Sequence, residues 1–165
     1  MLMSKYGEDP FAGLIFRDGK NSGKARCEAN WHWSPQQLRD YDLWYAVSGQ
    51  GEMKLGDRKY VVKPGTCFLF RPGDAPRATQ DLQNRLTVIY IHFEVVRIHD
   101  VELPVMSDQK STGILPYTEV HDVVHFERLL NRVLEIRDHN LPWSEPEFDS
   151  LMKLALLELY RSARR

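Results

Sequence analysis

Three tight-turn signals punctuate the middle of this chain, Gly56-Asp57, Pro64-Gly65 and Pro72-Gly73, with short apolar runs between them. Runs of that length bounded by Gly and Pro read as strands. Gly56-Asp57 has the form of a two-residue hairpin loop in which Gly supplies the positive φ of a II′ turn. In the other two turns Pro presets φ and Gly takes the left-handed position. Further candidate strands flank them, giving segments at Leu14 to Arg17, Arg26 to Trp33, Tyr41 to Ser48, Glu52 to Leu55, Arg58 to Val62, Thr66 to Arg71 and Leu86 to Val95. Many short strands with frequent turns predict an antiparallel barrel or sandwich, not a parallel sheet with crossover helices.

The pattern changes near residue 115. Val123, Phe126, Leu130 and Val133 recur at spacings of three and four, which predicts a helix over Glu119 to Asp138. After a break at Asn140-Leu141-Pro142, Ser144 with Glu147 reads as a capping box and Pro146 fits a first helical turn. From Phe148 to Tyr160 nearly every uncharged position is apolar, more than one buried face requires. One face would cover the barrel or the first helix; the other meets a partner chain or is central in its own monomer. A partner would be met through Leu151, Leu154 and Leu157. The chain closes on Arg161 to Arg165 directly after this helix, compatible with a further domain beyond it.

At 165 residues, 42% hydrophobic and 27% charged, the chain suits one folded domain that needs no metal or disulfide staple. The only two cysteines, Cys27 and Cys67, form no CxxC and are expected to be buried free thiols. The opening MLMSKYGEDP lacks the basic patch and apolar stretch of a secretory leader and there is no long apolar run, so the expectation is a cytoplasmic protein without membrane contact. A net charge of −1 with both signs interspersed gives no field for wrapping nucleic acid.

The segment from Leu86 to Val95 alternates: Ile89, Ile91, Phe93 and Val95 share one face and Val88, Tyr90, His92 and Glu94 the other. The first is a packing face. The second mixes ring, imidazole and carboxylate, as expected where a strand lines a cavity. Earlier, Trp31 and Trp33 oppose Asn30, His32 and Ser34, and the polar triplet is taken as the lining. Trp44, Tyr45, Tyr41 and Tyr90 add rings that stack on sugar C–H faces or simply fill a core. No GxSxG, HExxH or GxxxxGK[ST] occurs. His121 and His125 share helical spacing without a third ligand and read as exposed side chains. Asp40, Asp42 and Glu52 carry no sequence mark that separates a working carboxylate from a surface charge.

The stretch from Asp40 to Glu94 resembles the cupin-type ligand-binding domain at the N-terminus of AraC-family transcription regulators. The resemblance rests on Val47-Ser-Gly-Gln-Gly51, Gly56-Asp57, Pro64-Gly65 before Cys67 to Phe70, Arg71-Pro-Gly-Asp74 and Tyr90-Ile-His-Phe93. It implies a mostly β, antiparallel jelly-roll-like barrel over 1–115 followed by two dimerisation helices over 116–165. A helix-turn-helix DNA-binding domain would then lie beyond Arg165, outside this chain. It also implies a small effector, often a sugar, a homodimer, DNA contact only through that further domain, no cofactor and no enzyme activity. The pocket carried over from the family is Asn30, His32, Trp44, Tyr90 and His92. In the family's arabinose pocket an arginine stands beside a tryptophan; here Ser34 and Tyr90 take those places. Metal-dependent cupin enzymes are the rival, but Gln36, Leu38 and Pro76 stand at their histidine positions and only Asp42 at their carboxylate, so no metal site is expected. A stand-alone carbohydrate-binding module is the other alternative.

Overall fold

Every residue from Tyr41 to Ala46 is buried although the strand alternates, so its sheet has to be covered on both faces. The computed structural model describes residues 9–98 and 114–165 and has that arrangement. The first eight residues, read above as lacking a leader, and most of the stretch leading to the change at 115 lie outside the described residues.

Among the described residues are β1 (Leu14–Arg26), β2 (His32–Trp33), β3 (Tyr41–Ser48), β4 (Gly51–Leu55), β5 (Arg58–Val62), β6 (Thr66–Phe70), β7 (Arg77–Gln80), β8 (Thr87–Arg97) and β9 (Tyr117–Glu119). Two helices follow, α1 (Val123–Asp138) and α2 (Ser144–Ser162). The strands pair antiparallel in a five-stranded sheet, β1-β8-β3-β6-β9, and a four-stranded sheet, β2-β7-β4-β5. Residues of both sheets, among them Met53, Val62, Phe68, Phe70, Ala78 and Leu86, meet in one cluster between them. On the opposite face of the larger sheet, Leu43, Leu69, Ile89 and Ile91 pack with Phe126, Leu130, Met152 and Leu156 of the helices. The architecture is a mostly antiparallel β fold of jelly-roll type with two C-terminal helices.

The turns behave as their residues require. Gly56 has φ +60° between Leu55 and Arg58, which pair across the β4–β5 hairpin, and Gly65 has φ +87°. Cys27 and Cys67 are free and buried. No helix among the described residues is long and apolar enough to cross a membrane.

Four details differ from the sequence reading. The first two expected strands resolve into the long β1 plus the two-residue β2. A register shift between Asp18 and Ser22, with Lys20 at φ +60°, lets β1 continue along β8 through the Gly19 to Gly23 stretch. The short strands β7 and β9 lack a long apolar run but pair with β4 and β6. For that reason α1 starts at Val123, capped by Asp122 accepting from the His125 backbone N–H, and not at Glu119. At α2 the cap position is Trp143, with φ +61° and no side-chain cap bond. Ser144 is already helical, and Glu147 instead accepts from Arg132 Nε of α1 at 2.6 Å.

The expected second face of α2 is also reduced. Phe148, Leu151, Met152, Ala155, Leu156 and Leu159 are buried inside the chain because β1, α1 and β9 all pack against α2. Of the three residues expected at a partner interface, Leu151 belongs to the chain's own core and Leu157 packs half-buried against it. Leu154 remains exposed, at 45%. Domains that bury a helix on several sides use wide apolar stripes, so breadth alone did not distinguish partner from core.

Candidate functional site: the cavity between the sheets

The strand alternation of β8 and β3 builds the site. Ile89, Ile91 and Phe93 turn toward the helices, while Val88, Tyr90 and His92 turn toward the smaller sheet. In β3, Asp42 and Trp44 have the same parity as each other and sit opposite His92 and Tyr90 in the register. The four side chains therefore meet on one patch of sheet. They form one wall of a cavity of about 430 Å³, which Trp31 and Trp33 close from the other side. A volume of this size suits a small ligand.

The wall is largely aromatic. Trp33 and Trp44 are nearly parallel, with ring centroids 6.3 Å apart and planes 5° apart, and Tyr90 lies edge-on to His92. Gly23 of β1 pairs with Tyr90, and a Cβ built there would approach Tyr90 Oη to 2.9 Å. The bare backbone at Gly23 is what gives the Tyr90 ring its place at the cavity edge.

The polar part is a row of three groups. His92 Nδ1 and Asp40 Oδ1 are hydrogen-bonded at 2.8 Å, while His92 Nε2 lies 3.4 Å from Asp42 Oδ2. Asp42 is fully buried, and neither of its carboxylate oxygens has a hydrogen-bond partner; the long imidazole contact does not supply one. Burial pushes the Asp42 carboxyl up from 3.8 to about 7; nearby His92 opposes that rise and the Asp40 charge adds to it. Such an orphaned group calls for an explanation, and Asp42 stands among the residues that line the cavity, its side chain itself only 1% exposed. A larger cavity of about 660 Å³ lies between β1 and the helix ends, but none of its lining residues has a buried polar atom without a partner.

Trp44, Tyr90 and His92, chosen from the sequence, are thus brought together. Asn30 and His32 are not: both are exposed, and His32 pairs in β2 with Thr79 on the outer side. The polar triplet faces water, and Trp31 with Trp33 lines the cavity instead. Burying two indoles removes far more apolar surface from water than burying Asn30 and His32 would, which decides the orientation. Asp42, which lines the same cavity, was not among the residues chosen from the sequence. Its signal was available as parity, since position 42 must share a face with Trp44. His121 and His125 are exposed as expected. Among the described residues no group of three or more His, Cys, Asp and Glu is arranged to hold a metal ion.

A family model described as "AraC-like ligand binding domain" matches residues 20–138, most of the chain. The chain belongs to the AraC-like ligand-binding domain family. The matched region holds every residue that lines the cavity. Among solved structures the domain is similar to ToxT from Vibrio cholerae strain SCE256 with bound unsaturated fatty acid. The identity is 7% and the TM-score 0.50, covering 90% of this chain and 55% of that one. It is also similar to the AraC-like transcriptional activator CuxR, at 13% identity and TM-score 0.43, covering 81% and 48%. A cupin protein from Bacteroides fragilis matches at 15% identity and TM-score 0.34, covering 58% and 75%. The chain thus spans about half the length of the two AraC-like proteins. No protein of curated function matches it.

Proposed function

We propose that this chain is the effector-sensing and dimerisation domain of a bacterial, cytoplasmic AraC-type transcription regulator. A small molecule enters the cavity between the sheets, and its binding shifts the packing of barrel, N-terminal segment and helices. That shift repositions helix-turn-helix units lying beyond Arg165. The observation that carries this reading is the aromatic cavity with its orphaned Asp42 carboxylate, in a domain of a ligand-binding family. Indole faces beside Tyr90 and His92 suit the C–H faces and hydroxyls of a sugar-sized ligand. The fatty acid bound by ToxT is an anion, a class that Asp42 at the wall disfavours here.

Sensing, not catalysis, is supported by the residues standing at the histidine positions of metal-dependent cupins. Gln36 is exposed, Leu38 packs on the inter-sheet cluster and Pro76 is buried. Regulation requires only that the ligand prefer one packing over another, by an amount on the order of 1–3 kcal/mol. The dimer contact is assigned to α2 through Leu154, with Leu151 and Leu157 supporting it from beneath.

Effector screening by tryptophan fluorescence tests the sensor reading. Tyr90→Ala and Trp44→Phe should each weaken the effector about tenfold or more with the melting transition still cooperative. Unchanged affinity in both overturns the cavity assignment. Leu154→Asp should give monomers in sedimentation, and a retained dimer removes α2 as the interface.

A further inference from the structure

We propose that the effector of this domain carries a protonated amine, its ammonium held on Asp42 and against the indole faces of Trp33 and Trp44. The inference rests on the sensor reading above and narrows the chemical class of what the cavity takes.

The cavity's charge is the first reason. Asp40 and Asp42 are two carboxylates served by one imidazole, so even a doubly protonated His92 leaves the row net negative when both acids are ionised. Arg26 and Glu28 also line the cavity, both exposed, and their charges oppose each other. A neutral polyol would donate hydrogen bonds to Asp42 but leave its charge uncompensated in a buried place. An ammonium supplies donors and countercharge together.

The walls are the second reason. Trp33 and Trp44 offer nearly parallel indole systems, with Trp31 and Tyr90 beside them. Indole faces carry the negative end of the ring quadrupole and attract cations more strongly than other side-chain rings do, most of all where water is excluded. Two independent features, a desolvated carboxylate and an aromatic wall, thus select the same sign of ligand charge.

The third reason is energetic. In most ion pairs the cost of stripping water from the anion cancels much of the attraction. Here that cost falls on folding, because Asp42 is fully buried without a partner in the unliganded domain. The Asp42 oxygens are covered in the unliganded domain, so a cation that displaces their cover meets a carboxylate already desolvated. The class includes an amino sugar, whose ring still stacks on an indole.

Benzylamine and benzyl alcohol, which share one frame and differ in charge, test this together with D-glucose as a neutral polyol. Binding to the domain is read by tryptophan fluorescence and calorimetry at about pH 8, where Asp42 is largely ionised and benzylamine largely protonated. Benzylamine should bind about tenfold or more tighter than benzyl alcohol. Asp42→Asn, and Asp42→Ser as a second variant, should abolish that preference while keeping native circular dichroism. Equal affinities, absence of saturable benzylamine binding, or a preference that survives both substitutions overturns the ammonium assignment. If the alcohol or glucose binds and the amine binds no better, the cavity reading stands and only the charge assignment falls. Silence from all three probes overturns the charge assignment, and the Tyr90 and Trp44 variants then decide on the cavity separately.

Discussion

The two faces of the five-stranded sheet come from the same strands and have opposite properties. Toward the helices, Leu43, Tyr45, Ile89, Ile91 and Phe93 are essentially inaccessible, and Phe126, Leu130, Met152 and Leu156 pack onto them. Tyr45 Oη there donates to Glu127 Oε1 at 2.8 Å. Toward the smaller sheet, one region is filled by Phe68, Phe70 and Ala46, while the region of Asp42, Trp44, Val88, Tyr90 and His92 lines a cavity. The helix face leaves one buried hydroxyl, Thr118 Oγ1 opposite Cys67, without a partner; the cavity face leaves both oxygens of a carboxyl group without one. One face is covered by the two helices, and the other carries the candidate site.

Neighbouring residues of β8 give the sharpest contrast. Ile91→Ala should cost about 3 kcal/mol in urea denaturation, because a fully buried side chain is removed from a close-packed layer. Tyr90→Ala, one residue away, should cost markedly less while removing effector binding. Equal stability losses would break the comparison.

Asp42→Asn should stabilise the domain above neutral pH. The native carboxyl is raised from 3.8 to about 7, so the folded state binds the proton more tightly than the unfolded state does. Stability from this group is therefore full below about pH 4 and declines as pH rises toward 7. The decline amounts to a few kcal/mol, since each tenfold difference in proton affinity between the folded and unfolded states is worth about 1.4 kcal/mol. Melting curves across this range should show the wild type losing ground to Asp42→Asn as pH rises. A gain that grows on acidification would mean that Asp42 is already paired in the folded protein.

Tyr45→Phe removes the bond to Glu127 and should cost about 1 kcal/mol without altering effector affinity. A change in affinity would show that the helix face communicates with the cavity through this contact. The smallest effect on stability is expected from Gly23→Ala, below about 1 kcal/mol, since its new methyl meets the movable end of Tyr90. Displacing that ring should nonetheless weaken effector binding several-fold in fluorescence titration, a separation of binding from stability that sharpens the contrast between the faces.

Much of this was legible in the chain itself. The Gly and Pro turns, the clean alternation of Leu86 to Val95 and the three-four spacing after Val123 determined an antiparallel β fold with two trailing helices, because each is a local preference of backbone and periodicity. The parity of β8 likewise determined that Tyr90 and His92 share a face. What lay opposite that face was decided only in three dimensions. Trp31 and Trp33 turned inward in place of Asn30 and His32 because the larger apolar burial won. The breadth of α2 was claimed by β1, α1 and β9 within the chain, leaving Leu154 exposed. Asp42 became a buried, unpartnered acid with a carboxyl near neutrality because folding stripped its water, a rise that the Asp40 charge adds to and His92 opposes. Burial and pairing belong to a residue's surroundings, and those surroundings come from strands far away in the sequence.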